Sequence, residues 1–193
     1  MTRLVVLVSG NGSNLQAILD ACTAGEIQAQ VVAVFSDRPD AFGLERARRS
    51  DIAAIALAKC ETQDRPGYDT ELADKVAAFD PDWIVLAGWM RLLSAKFLDR
   101  FPGRVVNLHP ALPGTFPGTH AIERALDAYQ HGEVAHTGVM VHLVPDDGVD
   151  SGPVLAQEVV SIQPSDTLAT LQSRVHATEH RVLVHTLTKL CTL

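Results

Sequence analysis

Leu4-Val5-Val6-Leu7-Val8, Ser9-Gly10-Asn11-Gly12-Ser13-Asn14 and Leu15-Gln16-Ala17-Ile18-Leu19 follow one another without a gap near the start of the chain. The first run is short, continuous and rich in β-branched residues, the mark of a central strand covered on both faces. The third has helical spacing and runs to Gly25. The turn between them therefore joins a buried strand to a helix start, where glycines at 10 and 12 allow close backbone approach and free N–H groups favour an anion. A phosphate is the natural candidate. A dinucleotide site would want a third glycine at position 15, where Leu15 stands, and an acid closing the second strand. Here Phe35-Ser36-Asp37-Arg38 keeps its acid outside that strand. The reading is a monophosphate site rather than NAD, and by itself a Gly-x-Gly turn fits a plain sharp turn equally well.

Working outward, strands at Val31 to Phe35, Ile52 to Leu57, Trp83 to Ala87 and Arg104 to Leu108 alternate with helices at Phe42 to Arg49 and Tyr68 to Phe79. The second of these helices turns Leu72, Val76 and Phe79 inward. An amphipathic helix follows from His120 to His131, then strands from Thr137 to Val144 and Val154 to Val160, and a long closing helix from Asp166 to Leu190. Such alternation builds a parallel sheet with right-handed crossovers. The fold class is α/β, a Rossmann-like, mostly parallel twisted sheet with helices on both faces. No internal repeat, low-complexity segment or linker divides it, so residues 1–193 read as a single domain.

Composition narrows the function. The net charge of -7 opposes phosphate backbones as partners, so nucleic acid is not expected. No apolar run approaches the roughly 20 residues of a membrane span, and Met1-Thr2-Arg3 enters a strand directly, without a signal h-region. Cys22, Cys60 and Cys191 are odd in number and widely spaced, which indicates neither a disulfide framework nor a thiolate metal site. The cytoplasm fits these features best.

Asn107-Leu108-His109-Pro110 ends one of the strands, and the loop after it carries Pro113, Gly114, Pro117 and Gly118. Proline and glycine at this density fix a stiff loop, suited to holding its neighbours in one geometry. Asn107 and His109 sit two residues apart on extended backbone, so their side chains point the same way. An Asn amide and a protonated imidazole are two donors of the kind a tetrahedral oxyanion needs. Asp150, in the acidic loop Pro145 to Pro153, is suited to stabilise the imidazolium and to relay a proton. The other reading is a satisfied polar pair closing a strand. A hard metal site from His109, His120, His142 and Asp150 matches no familiar ligand spacing, and no metal is expected. A further tip, Gly88-Trp89-Met90-Arg91-Leu92-Leu93, is apolar where a strand ends. It suits either a pocket wall with a cation beside it or ordinary packing.

Ser9 to Leu15, Leu86 to Arg91, Asn107 to Pro110, Phe116 to Gly118, His142, Asp150 to Pro153 and Glu179-His180 occur in the order and spacing of one known family. The chain resembles the phosphoribosylglycinamide formyltransferases, the folate-dependent enzymes of purine synthesis, over nearly its whole length. The resemblance implies the formyltransferase fold and transfer of a formyl group from the co-substrate 10-formyltetrahydrofolate to the amine of glycinamide ribonucleotide. It implies small-molecule partners, a monomer or homodimer, and no metal. It makes Asn107, His109 and Asp150 the catalytic residues. Gly12, Ser13 and Asn14 are expected at the ribonucleotide phosphate and Glu179 at the ribose. Leu86, Met90, Leu92 and Leu93 are expected to form the pterin slot, with Arg65, Arg91, His142 and Asp147 completing the folate side. The phosphate-binding half is then about residues 1–100 and the catalytic and folate half about 101–193.

Three departures stand out. Leu112-Pro113-Gly114-Thr115 replaces a family stretch that often ends in Lys, the span from His142 to Asp150 is one residue longer than usual, and His176 stands where Lys or Gln is common. His176 and Glu179 are three residues apart and share a helix face, read as opposite the apolar row Leu168, Leu171, Val175 and Val182. His176 is therefore expected at the phosphate. The rivals are a methionyl-tRNA formyltransferase, expected to carry a further C-terminal domain and basic surface, a formyltetrahydrofolate hydrolase, expected to carry an extra N-terminal domain, and a non-catalytic nucleotide-binding module. The last would bind a phosphorylated ligand without folate turnover.

Overall fold

β1 (Thr2–Val8) runs through the middle of a seven-stranded sheet in the computed structural model, which describes residues 1–192. Leu4, Val5, Val6, Leu7 and Val8 are each 0% exposed. A side chain of this kind contributes about 1.5–3 kcal/mol when buried rather than left in water, so this strand must be central. After it come α1 (Ser13–Thr23), β2 (Ala29–Ser36), α2 (Phe42–Arg49), β3 (Ala53–Ala56), α3 (Arg65–Ala77) and β4 (Trp83–Leu86). The chain continues through α4 (Ala95–Leu98), β5 (Val105–His109), α5 (Ala121–Gln130), β6 (His136–Leu143), β7 (Val154–Ser161) and α6 (Leu168–Cys191). The sheet order is β3-β2-β1-β4-β5-β6-β7. Neighbours are parallel from β3 through β5, and β6 and β7 are added antiparallel.

This order reverses direction between β1 and β4, and the crevice outside their carboxyl ends is where open α/β sheets bind ligands. Alternation along the strands divides the core into two layers. Leu4, Val6, Val8, Val85, Val106, Leu108, Val139 and Val141 pack with residues of α1, α5 and α6. Val5, Leu7, Phe35, Ile84, Leu86 and Val105 pack with residues of α3 and α4.

Several boundaries differ from the sequence reading for identifiable reasons. α3 begins at Arg65 because the Asp64 side chain accepts the Gly67 N–H at 2.8 Å and Pro66 occupies the first turn. It ends at Ala77, so Phe79 lies beyond it and packs edge-on against Phe35, centroids 5.9 Å apart. α4 is one turn long, below the length at which periodicity is visible. In α6, Thr167 and Thr170 form a reciprocal cap. Glu179 proves to lie within the buried stripe of that helix, with Val175, Val182 and Leu183, rather than opposite the apolar row.

Candidate active site

The tip of β5 carries the alternation that matters. Val106 and Leu108 enter one core layer, which leaves Asn107 and His109 on the other face with Val105. Asn107 pairs across the ladder with Leu86 on β4 and His142 on β6, so these side chains also share that face. The Pro145 to Pro153 loop brings Asp150 over the same tip. Its Oδ1 accepts from Asn107 Nδ2 at 3.0 Å, and its Oδ2 lies 3.3 Å from His109 Nδ1. The stiff loop after β5 closes the arrangement, with the Gly118 N–H donating to Asp150 Oδ2 at 2.8 Å and the Phe116 carbonyl 3.1 Å from His109 Nε2. Asp150 and Phe116 both hold left-handed backbone, φ 50 and 46, a strain that non-glycine residues keep only where their surroundings impose it.

Hydrogen-bond geometry assigns the protons. His142 Nδ1 lies 2.8 Å from its neighbour's carbonyl, Leu143 O, and so carries the hydrogen, leaving Nε2 to accept from Asn107 Nδ2 at 3.1 Å. The two hydrogens of the Asn107 amide then go to Asp150 and His142, and an inverted amide would set its oxygen against the Asp150 carboxylate. His109 faces an acceptor at each ring nitrogen, an environment that only the imidazolium satisfies fully. Burial opposes that form and holds the His109 pKa below its ordinary value, against the Asp150 carboxylate and the Phe116 carbonyl. For Asp150 burial pushes upward, yet the Gly118 N–H and the neighbouring His109 bring the carboxyl below the usual range. The carboxylate is therefore the stable form of Asp150, while burial favours the neutral ring of His109 despite the acceptors around it.

On the other core face, α1 starts at Ser13 after Gly12, which is left-handed at φ 75. A Cβ at Gly12 would stand 2.7 Å from the Cα of Gly43, so α1 and α2 approach there as only glycine allows. Asn14 Nδ2 lies 3.4 Å from Glu179 Oε2, and His176 Nδ1 lies 2.7 Å from the same oxygen. Asn14 Oδ1 is buried without a partner among the described residues. The phosphate-side candidates Gly12, Ser13, Asn14, His176 and Glu179 are thus brought together, from both halves of the chain. The Glu179 hydrogen bond raises the His176 pKa, against partial burial.

The folate-side candidates fall into three groups. Leu86 and Leu93 are buried, whereas Met90 and Leu92 are 59% and 48% exposed on the tip after β4. Arg91 lies over the Tyr68 ring, 4.8 Å from its centroid, and meets no carboxylate among the described residues, while Arg65 donates to Leu93 O at 2.8 Å and lies 3.7 Å from Asp147 Oδ2. His142, expected on the folate side, is 2% exposed and spends both ring nitrogens inside the protein, so it meets Asn107 rather than a free surface. Two residues that sequence reasoning passed over also belong here. Ser9 and Asp37 are hydrogen-bonded at 2.6 Å beside the switch crevice; the signals for them were that each directly follows a strand, that Ser9 opens the family motif, and that Asp37 is the acid outside the second strand.

Among the described residues no three His, Cys, Asp or Glu side chains are grouped to hold a metal ion, and no helix is long and apolar enough to cross a membrane. A hollow of about 470 Å³ opens at the opposite end of the sheet beside Arg3, Cys22 and Asp51. The strand ends there are amino ends, which in this class of sheet do not carry the ligand.

The formyl transferase family matches residues 2–187. A phosphoribosylglycinamide formyltransferase of Escherichia coli (strain K12) is 44% identical over 180 residues, covering 93% of this chain and 82% of the relative. One from Schizosaccharomyces pombe is 43% identical, covering 100% of this chain and 98% of the relative. The crystal structure of glycinamide ribonucleotide transformylase 1 from Symbiobacterium toebii superposes with a TM-score of 0.93 at 41% identity, covering 100% of this chain and 88% of that one. With likeness of this extent in both sequence and fold, the chain belongs to the formyl transferase family and stands there among the phosphoribosylglycinamide formyltransferases.

Proposed function

We infer that the protein is an enzyme of purine biosynthesis that passes a formyl group from 10-formyltetrahydrofolate to the amine of glycinamide ribonucleotide. The observation that carries this reading is the convergence of Asn107, His109 and Asp150 on one another at the tip of β5, beside the switch crevice. When the amine attacks the formyl carbon, a C–N bond forms and an electron pair moves onto the formyl oxygen. That oxyanion needs donors already in place. His109 as imidazolium offers one. Asn107 offers another once the formyl oxygen takes the N–H now held by Asp150 Oδ1. The intermediate collapses by breaking the bond to the folate nitrogen, which must gain the proton that the amine loses. Asp150, held between Asn107 and His109, is placed to orient the ring and to help relay that proton through water.

The phosphate is read at the α1 start, where first-turn N–H groups have no intrahelical partner and the helix dipole favours an anion. Glu179 is then available to ribose hydroxyls and His176 to the phosphate. The pterin is read on the Leu86, Met90, Leu92 and Leu93 tip, with Arg65 and Arg91 for anionic groups, and Asp147 at the mouth. Residues 1–193 work in this reading as one formyltransferase domain, in the cytoplasm, as a monomer or homodimer, with small molecules as its partners. Consumption of 10-formyltetrahydrofolate, followed with and without glycinamide ribonucleotide, tests it. Dependence on both is expected. Consumption without the amine would make the protein a hydrolase, and ligand binding without consumption would make it a binding module.

A further inference from the structure

Ser9 closes β1 and precedes the phosphate turn, yet the hydrogen bonds of its hydroxyl lead elsewhere. The hydroxyl donates to Asp37 Oδ1 at 2.6 Å, just beyond β2, and accepts the backbone N–H of Met90 at 2.9 Å, just beyond β4. The Ser9 backbone N–H reaches Gly88 O at 3.0 Å. One hydroxyl on a residue only 2% exposed therefore joins three strand ends at the switch crevice. Gly88 is left-handed, φ 80, which turns the chain out of β4 and presents Met90 back towards β1.

The tip held in this way is divided. Trp89 and Leu93 are buried, and Met90 and Leu92 between them are largely exposed. Apolar side chains displayed on fixed backbone suit a flat ligand face. Asp37 occupies the region where dinucleotide-binding sheets carry a ribose acid, but here one of its oxygens is committed to Ser9. Its charge, behind burial, also helps hold the Tyr68 phenol above its ordinary pKa, and Tyr68 in turn carries Arg91 on its ring. Asp37 is thus linked to the tip at Met90 through Ser9 and acts electrostatically on the ring on which the next residue rests.

We propose that Ser9 and Asp37 are positioning residues for the formyl donor, fixing the backbone at Met90 so that the apolar tip keeps the shape that receives the pterin. This rests on the reading of that tip as the folate wall. The test measures initial rates with folate and ribonucleotide varied separately in the full-length protein. Ser9→Ala and Asp37→Ala are expected to raise the KM for 10-formyltetrahydrofolate about five- to tenfold, the scale of one buried hydrogen bond left unmade. The KM for glycinamide ribonucleotide should stay within about twofold, since the affected bonds are on the donor side. Ser9→Thr and Asp37→Asn keep a hydroxyl and an acceptor oxygen and should remain close to wild type. Asp37→Ala carries the test alone should Ser9→Ala fail to fold. An unchanged donor KM in an active Ala variant, or an equal rise for both substrates, overturns the positioning role and leaves the functional reading intact. A wild-type protein that transfers no formyl group overturns both.

Discussion

His176 Nδ1 and Glu179 Oε2 stand 2.7 Å apart on α6, a one-turn pair in which the carboxylate favours the charged ring. Hydrogen bonding to Glu179 raises the folded-state pKa of His176 above the ordinary 6.5. The sign follows directly: stabilisation by this pair is complete below the unfolded value and is lost as pH rises through the raised one. A phosphate contact from His176 must disappear over the same interval. The KM for glycinamide ribonucleotide is expected to be flat near pH 6 and to climb only above 6.5, at higher pH than an unperturbed histidine would give. His176→Lys should flatten that climb without reducing turnover. Identical pH profiles for wild type and His176→Ala would remove His176 from the phosphate.

Asn107→Ala, His109→Ala and Asp150→Asn should each lower turnover by roughly a hundredfold or more, with smaller effects on either KM, because each removes a preorganised contact to developing charge. Steady-state kinetics on correctly folded variants is the check. Wild-type turnover in any one of them would contradict its role.

His142→Ala should lower turnover while leaving the donor KM nearly unchanged. The ring fixes the sense of the Asn107 amide by accepting from Nδ2, and without it the amide is free to invert. A large rise in donor KM with normal turnover would instead return His142 to the folate surface.

Asp147→Asn should lower the KM for the folate up to about fivefold. Asp147 Oδ2 lies 3.7 Å from Arg65 in an exposed pair, worth about 0.2–1 kcal/mol at most, and so competes with a carboxylate arriving at the same guanidinium. The gain should fade at high salt, and Arg65→Ala should abolish it.

Gly12→Ala should destabilise the fold by about 1–3 kcal/mol, since a side chain would be forced into left-handed backbone. The added methyl would also stand 2.7 Å from Gly43 Cα, which is backbone and cannot swing away. Thermal melting reads the first effect, and a higher ribonucleotide KM would show that the α1 start had shifted.

Most of the sheet was legible because buried parallel strands such as Leu4 to Val8 write themselves as unbroken apolar runs, and α2 fell on its read boundaries, Phe42–Arg49. The antiparallel pairing of β6 with β7 was not, since direction depends on what the intervening loop permits and not on the strands themselves. Convergence of Asn107, His109 and Asp150 was anticipated through spacing and resemblance. The commitment of both Asn107 hydrogens was not, because it depends on which neighbours face the amide across β6 and the loop. Glu179 was read onto the wrong side of its helix because a carboxylate inside an apolar stripe looks like an error until Asn14 and His176 are found around it.

The meeting of Asn14 with Glu179 has a consequence for how the protein is made. The first helix is synthesised early, but its side-chain partner belongs to the last helix, 165 residues later. With the phosphate read at the α1 start, a nascent chain still held by the ribosome through α6 lacks both Glu179 and His176 beside that proposed seat. The ribonucleotide thus has little to grip until synthesis is nearly finished, so it cannot template the early sheet and acts only by mass action on the completed fold. Cells short of this metabolite should accordingly make the protein at the same rate, yet hold it less firmly against unfolding afterwards.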